Sequence, residues 1–212
     1  MILIGYGSLL NKSSFERTIP WREPKEVIVN GYKRVFNLIP SRLQLYKLYD
    51  ANHAKGEIAV LNAVPDKEYY FNAAAFEVSE AEMDIMKMRL KSYHAEETEI
   101  LDPKTRKRIG TGIIFVGDET RDGGEIISND ILPIPKYIKT CIKGAKSLGK
   151  NFYKTFLKTT FLGDGRTLKE FLKWFYNVMF VCALSAENCL GNEAWPDGAF
   201  LESGIEHIII NF

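Results

Sequence analysis

Cysteine and histidine are scarce in this chain of 212 residues, with three of each. Cys141, Cys182 and Cys189 form an odd set without metal-ligand spacing, and His53, His94 and His207 are scattered. This argues against a disulfide framework or a metal-binding cluster, and favours reduced core cysteines in a cytoplasmic protein. Net charge is also nearly absent: 28 Lys and Arg against 27 Asp and Glu leave +1. That balance removes the usual electrostatic case for nucleic acid or an anionic membrane as a partner. No long apolar run is present. The longest, from Trp174 to Leu184, is broken by Asn177 and falls far short of the roughly 20 residues of a membrane span. The opening MILIGYGSLL lacks a cationic region and runs into glycines and a serine, so it does not read as a signal peptide.

What remains is the composition of an ordinary folded domain, 46% hydrophobic and 26% charged. A chain of this length buries roughly 70% of the surface its unfolded form exposes, and needs no metal or disulfide staple. No repeat, low-complexity run or linker divides it. Met1 to Ile4 reads as a short buried strand ending at Gly5. Ser13-Ser14-Phe15-Glu16 has the capping-box pattern of a helix start, with Pro20 limiting that helix. Val27 to Leu38 reads as a strand bent near Gly31, and Glu57 to Val64 and Asn72 to Val78 as two more. Ser79-Glu80-Ala81-Glu82 is a second capping box, opening a helix with Met83, Met86 and Leu90 on one face. Thr98 to Leu101 and Ile109 to Val116 suggest a hairpin around Asp102-Pro103-Lys104.

The character then changes. Pro135 suits a first helical position, Ile138, Cys141, Ile142, Ala145 and Leu148 repeat at helical spacing, and Gly149 suits a C-terminal cap. Phe152, Phe156, Trp174 and Phe175 fall at helical spacing as core, and Thr167-Leu168-Lys169-Glu170 is a third capping box. Strands in the first half and helices in the second predict an α+β fold: a core over residues 1–118 and a helical extension over 119–212, packed as one domain or two.

The most informative segment is Ile4-Gly5-Tyr6-Gly7-Ser8-Leu9-Leu10, a strand entering a glycine-containing turn. A dinucleotide fingerprint needs a third glycine where Leu10 stands. A nucleophile elbow needs a glycine two residues after Ser8. A third reading needs only backbone: Gly5 and Gly7 allow close approach, and amides before a helix start receive a carboxylate. A tight turn without a ligand is the fourth.

Tyr6-Gly7-Ser8-Leu9 after a first strand resembles the signature of gamma-glutamylcyclotransferase-like proteins, which include the ChaC-type enzymes. Later segments agree in order. Asn30-Gly31-Tyr32-Lys33-Arg34-Val35-Phe36 resembles that family's G-[YF]-x-R-x-F strand, Val78 to Glu82 resembles the segment before its catalytic residue, and Tyr93 resembles the tyrosine of R-E-x-x-Y. The resemblance covers roughly residues 1–118. It implies a small mixed β-barrel with flanking helices, and a substrate pocket formed by Tyr6, Gly7, Ser8, Leu9 and Tyr93. The implied ligand is a small gamma-glutamyl compound: a gamma-glutamyl amino acid, a gamma-glutamyl amine or glutathione. Its own alpha-amine attacks the gamma-carbonyl and releases 5-oxoproline. No cofactor is implied.

That reaction needs one carboxylate to take a proton from the attacking amine and pass it to the leaving nitrogen. Aligning Arg89-Leu90-Lys91-Ser92-Tyr93 with R-E-x-x-Y puts Leu90 on the glutamate, and a leucine carries no proton. Strand alternation offers Glu97 and Glu99 as substitutes on the face of Tyr93, with Glu57 and Glu77 weaker candidates. The alternative function is a non-catalytic module that binds an acidic or amino-acid-like metabolite, or a protein partner. Arg34 is expected as a surface or ion-paired charge, with an acidic ligand group as the other possibility.

Overall fold

The structure, a computed structural model, describes residues 1–40, 59–121, 124–133 and 135–175. Eight strands are assigned among them: β1 (Ile2–Gly5), β2 (Lys25–Leu38), β3 (Val60–Glu77), β4 (Tyr93–Leu101), β5 (Arg108–Gly117), β6 (Thr120–Arg121), β7 (Gly124–Glu125) and β8 (Thr160–Leu162). The helices are α1 (Lys12–Phe15), α2 (Glu80–Arg89), α3 (Pro135–Ser147) and α4 (Lys150–Lys158), and residues 168–175 are also helical. Met1–Phe171 form one compact unit and Leu172–Phe212 a second, of which only 172–175 are described.

The strands run in the order β3-β1-β5-β4-β2, and β2 pairs back onto β3, so five of them close into a barrel. Closure leaves no free edge within the ring. Only the β1–β5 pair is parallel; the others are antiparallel, and β8 is added outside the ring, parallel to β2 from Arg34↔Thr160 to Phe36↔Leu162. Gly31 has φ +79°, a conformation that L side chains rarely adopt, and the β2–β3 register shifts there. The strand therefore bends where the sequence predicts. The core fills the barrel and the groove beneath α3 and α4. Phe15, Phe36, Phe71, Phe76, Phe152 and Phe156 are fully buried, each contributing about 1.5–3 kcal/mol by leaving water. Phe15 stacks on Phe76 with ring centroids 4.4 Å apart.

Local signals placed most elements. Ser79 and Glu82 form both halves of a capping box at the start of α2. Thr167 and Glu170 do the same before residue 168: the Glu170 amide donates to Thr167 Oγ1 at 3.2 Å, and the Thr167 amide donates to Glu170 Oε2 at 2.8 Å. The β4–β5 hairpin turns on Asp102, whose carboxylate accepts the amides of Lys104 and Thr105.

Three expectations are corrected. Helix α1 is capped by Asn11, whose Oδ1 accepts the Ser14 amide at 3.0 Å, and Ser13 lies inside the helix. The two strands expected up to Val64 and from Asn72 are one strand, β3, since Pro65 sits opposite Tyr32 at the bulge where a ladder amide is not required. Trp174 is half exposed and not core. The compact unit that contains the barrel runs from Met1 to Phe171. The segment 135–171 belongs with the barrel, because β8 extends β2 and α3 packs on the turn after β1. Cys141 is buried and unpaired, whereas Cys182, Cys189 and the Ile208–Ile210 run lie outside the described residues. Among the described residues no helix is long and apolar enough to cross a membrane.

Candidate functional site

Strand β1 delivers Tyr6 and Gly7 into a 3-10 turn, Ser8–Leu10. The turn is closed by the Leu10 amide donating to the Gly7 carbonyl at 3.0 Å. The amides of Ser8 and Leu9, at the start of that turn, precede any acceptor within it. Helix α3 presses on the turn from behind: a Cβ built on Gly144 lies 2.5 Å from the Asn11 nitrogen and from the Leu10 carbonyl carbon. Only a residue without a side chain permits that approach.

In front of the turn lies a cavity of about 40 Å³, lined by Ile4, Tyr6, Gly7, Ser8, Leu9, Leu61, Leu90, Tyr93, Phe115 and Tyr137. All five substrate-binding positions named from the sequence meet here, and Leu90 is with them. Leu90 caps α2, its amide donating to the Met86 carbonyl at 2.9 Å. Ile4, Leu61, Phe115 and Tyr137 were not foreseen, because they come from four separate elements and carry no shared motif. The tyrosine hydroxyls are engaged. Tyr6 donates to the Phe115 carbonyl at 2.5 Å, Tyr93 donates to the Leu61 carbonyl at 2.7 Å, and Tyr137 accepts the Leu61 amide at 3.3 Å. Burial pushes the Tyr6 hydroxyl far above its ordinary pKa, so it stays protonated.

No lining residue is a carboxylate or an ordinary base. Glu97 keeps the expected parity with Tyr93, but on that face of β4 Ala95, Glu97 and Glu99 are exposed while Thr98 and Ile100 turn inward. Glu97 is therefore not a lining residue. Glu99 pairs with Arg108 at 3.1 Å and Glu77 with Lys25 at 3.7 Å, both on the surface; Glu57 lies outside the described residues. Among the described residues no group of His, Cys, Asp and Glu is placed to hold a metal ion.

Arg34 corrects the surface expectation. It is fully buried and joins five segments. Its Nε donates to Thr160 Oγ1 at 2.7 Å, and its Nη1 to the Asn72 carbonyl at 2.8 Å and the Tyr6 carbonyl at 3.4 Å. Its Nη2 reaches Asn72 Oδ1, Thr159 Oγ1 and the Phe156 carbonyl at 3.2, 3.1 and 3.3 Å. The guanidinium also lies over the Phe156 ring, 4.1 Å from its centroid. Burial pulls its pKa down to about 9, which leaves it charged at neutral pH. It thus fixes the carbonyl of Tyr6 from behind the cavity. Outside the site, His94 lies between Asp118 and Glu96 at 2.9 and 2.8 Å, and Tyr32 donates to Glu96 at 2.7 Å.

No protein-family model matches the sequence. No curated protein is similar to it at a significant level. Solved structures are similar in shape. A gamma-glutamyl cyclotransferase matches with TM-score 0.54 and 12% identity, covering 100% of this chain and 99% of that one. The fold is that of gamma-glutamyl cyclotransferase. A Homo sapiens protein described as uncharacterized matches with TM-score 0.53 and 12% identity over 99% of this chain and 97% of its own. YkqA from Bacillus subtilis matches with TM-score 0.51 and 13% identity over 73% of this chain, which spans about half (51%) of YkqA's length. At these identities the gamma-glutamyl cyclotransferase likeness extends to the fold.

Proposed function

We propose that this chain is a non-cyclising protein on the gamma-glutamyl cyclotransferase fold, which uses the Tyr6–Leu9 turn to bind the carboxylate end of a small amino-acid-like metabolite. The observation that carries this reading is Leu90 lining the cavity, with no carboxylate among the ten lining residues. General acid–base catalysis contributes about 10²–10⁴-fold, and a hydrocarbon at the proton-carrying position forfeits it. The cavity volume points the same way. About 40 Å³ admits a carboxylate-sized group, whereas sites that engulf whole metabolites measure about 300–1,000 Å³. A gamma-glutamyl compound is the favoured ligand, supported by the fold likeness and by Tyr6, Gly7, Ser8, Leu9 and Tyr93 meeting at one place. A ChaC-like preference for glutathione belongs to the same proposal.

The test is to incubate the protein with glutathione and with several gamma-glutamyl amino acids, following 5-oxoproline release and the melting temperature. The expected result is no product with a ligand-dependent rise in Tm. Release of 5-oxoproline at an enzyme's rate overturns the non-catalytic reading. Leu90→Glu then tests the ligand class: cyclisation gained by about 100-fold or more over wild type supports it, and a folded, inert variant removes its support.

A further inference from the structure

Arg34 carries a charge into the core, where its side chain is fully buried. A guanidinium has five N–H hydrogens. Here they go to the side chains of Thr160, Thr159 and Asn72 and to the carbonyls of Asn72, Tyr6 and Phe156. Every one of those acceptors is neutral, and no donor is left over for a carboxylate. The hydrogen bonds of Arg34 are therefore satisfied while its charge is not, and an uncompensated buried charge is costly.

One of these contacts leads to the turn site. Tyr6 is joined to Gly7 by a trans peptide, so the Gly7 N–H points opposite to the carbonyl that Arg34 holds. Gly7 lines the cavity, and among the described residues its amide has no acceptor. The guanidinium draws on the oxygen end of that peptide. Polarisation along the hydrogen-bonded chain makes the N–H end a stronger donor to an anion in front of it.

We propose that Arg34 determines the specificity of the turn site, acting through the Tyr6–Gly7 peptide to favour a carboxylate over a carboxamide of the same shape. This rests on the carboxylate-binding reading of the turn and names the residue that confers its selectivity. Nη1 stands 3.4 Å from the Tyr6 oxygen. The peptide and one further hydrogen bond add about 5 Å, which puts a bound anion about 8 Å from the charge. At an effective dielectric constant of about 20, a unit charge at that distance favours an anion about thirtyfold. The effect is mutual, since the anion supplies the counter-charge that the neutral acceptors of Arg34 do not.

The experiment titrates the isotope-labelled full chain with acetate and with acetamide, following the amide resonances of Gly7, Ser8 and Leu9. Acetate is expected to bind about thirtyfold more tightly than acetamide. Arg34→Gln removes the charge and should bring that ratio close to one. Thr160→Val removes the acceptor of Nε, which loosens the same clamp but keeps the charge, and should leave the ratio unchanged. A purely structural Arg34 would instead weaken both probes together in both variants. If Arg34→Gln does not fold, the wild-type ratio is compared in about 0.05 M and about 0.5 M sodium chloride. Chloride competes with both probes alike, so a ratio set by a buried charge persists, whereas one set by exposed charges is screened away. The proposal is overturned by a wild-type ratio near one, by a ratio that survives in a folded Arg34→Gln or collapses in Thr160→Val, or by its loss in salt. If neither probe moves the turn amides, the carboxylate reading of the turn itself fails, and this proposal falls with it.

Discussion

Leu90→Glu is informative well before any substrate is added. Leu90 is half-buried and lines a small cavity whose tyrosine hydroxyls are already engaged, so no tyrosine donor replaces the water that the introduced carboxyl loses. Removing a polar group from water without a partner costs about 1–3 kcal/mol. In a domain of this size each kcal/mol lowers Tm by about 2–4 °C, so the expected loss at pH 8 is about 2–12 °C. The deficit should also titrate. Burial disfavours the charged form and raises the carboxyl's folded-state pKa above the unfolded value of about 4.3. A proton is then held more tightly by the folded protein, so the deficit is smallest at pH 4 and grows as pH rises through the folded value. Each tenfold weakening of acidity adds about 1.4 kcal/mol to it. Thermal melts at pH 4 and pH 8, with Leu90→Gln as the untitratable control, read this directly. If Leu90→Glu and Leu90→Gln show equal deficits at both pH values, the side chain at position 90 is solvated and the placement of Leu90 in the cavity wall is wrong.

Arg34→Met removes the guanidinium donors to the carbonyls of Asn72 and Tyr6, to Asn72 Oδ1 and to Thr160 Oγ1, and should cost about 3–5 kcal/mol, seen as a lower urea midpoint; a change below about 1 kcal/mol would refute the clamp. Gly144→Ala puts a methyl against the backbone of Leu10 and Asn11, so it should cost about 1–3 kcal/mol in thermal melts and perturb the Tyr6–Leu9 amide resonances. Hydrogen bonds donated by His94 to Glu96 and Asp118 raise its pKa, so its stabilisation is full below about pH 6.5 and is lost as pH rises through the folded value. His94→Gln should remove that slope between pH 6 and 8.5, and an unchanged slope would show that the imidazole contributes none of it.

Short-range chemistry was legible in the sequence and long-range assembly was not. Ser79 with Glu82 and Thr167 with Glu170 state their helix starts within four residues, and the structure forms both. Ser13 with Glu16 has the same spelling, but Asn11 reaches the Ser14 amide first. Pro65 looks like a strand break until its partner Tyr32 is known. The cavity shows the same division: the Tyr6–Leu9 turn is contiguous and was named, whereas Leu61, Phe115 and Tyr137 arrive through tertiary packing. Arg34 stands at the arginine of the G-[YF]-x-R-x-F pattern, but nothing in its neighbours along the chain shows that it is buried. Its burial depends on Asn72, Thr159 and Thr160 arriving from β3 and the end of α4.

The parallel pairing of β1 with β5 and its antiparallel pairing with the far end of β3 bear on how the protein matures. Leu3 must find Phe76 and Ile113, partners far along the chain, so β1 is seated only after β3 and β5 have been made. Until it docks, the Tyr6–Leu9 loop has no wall opposite it. The carboxylate ligand proposed for that loop would therefore favour molecules in which β1 is seated, and its occupancy would gauge completed assembly.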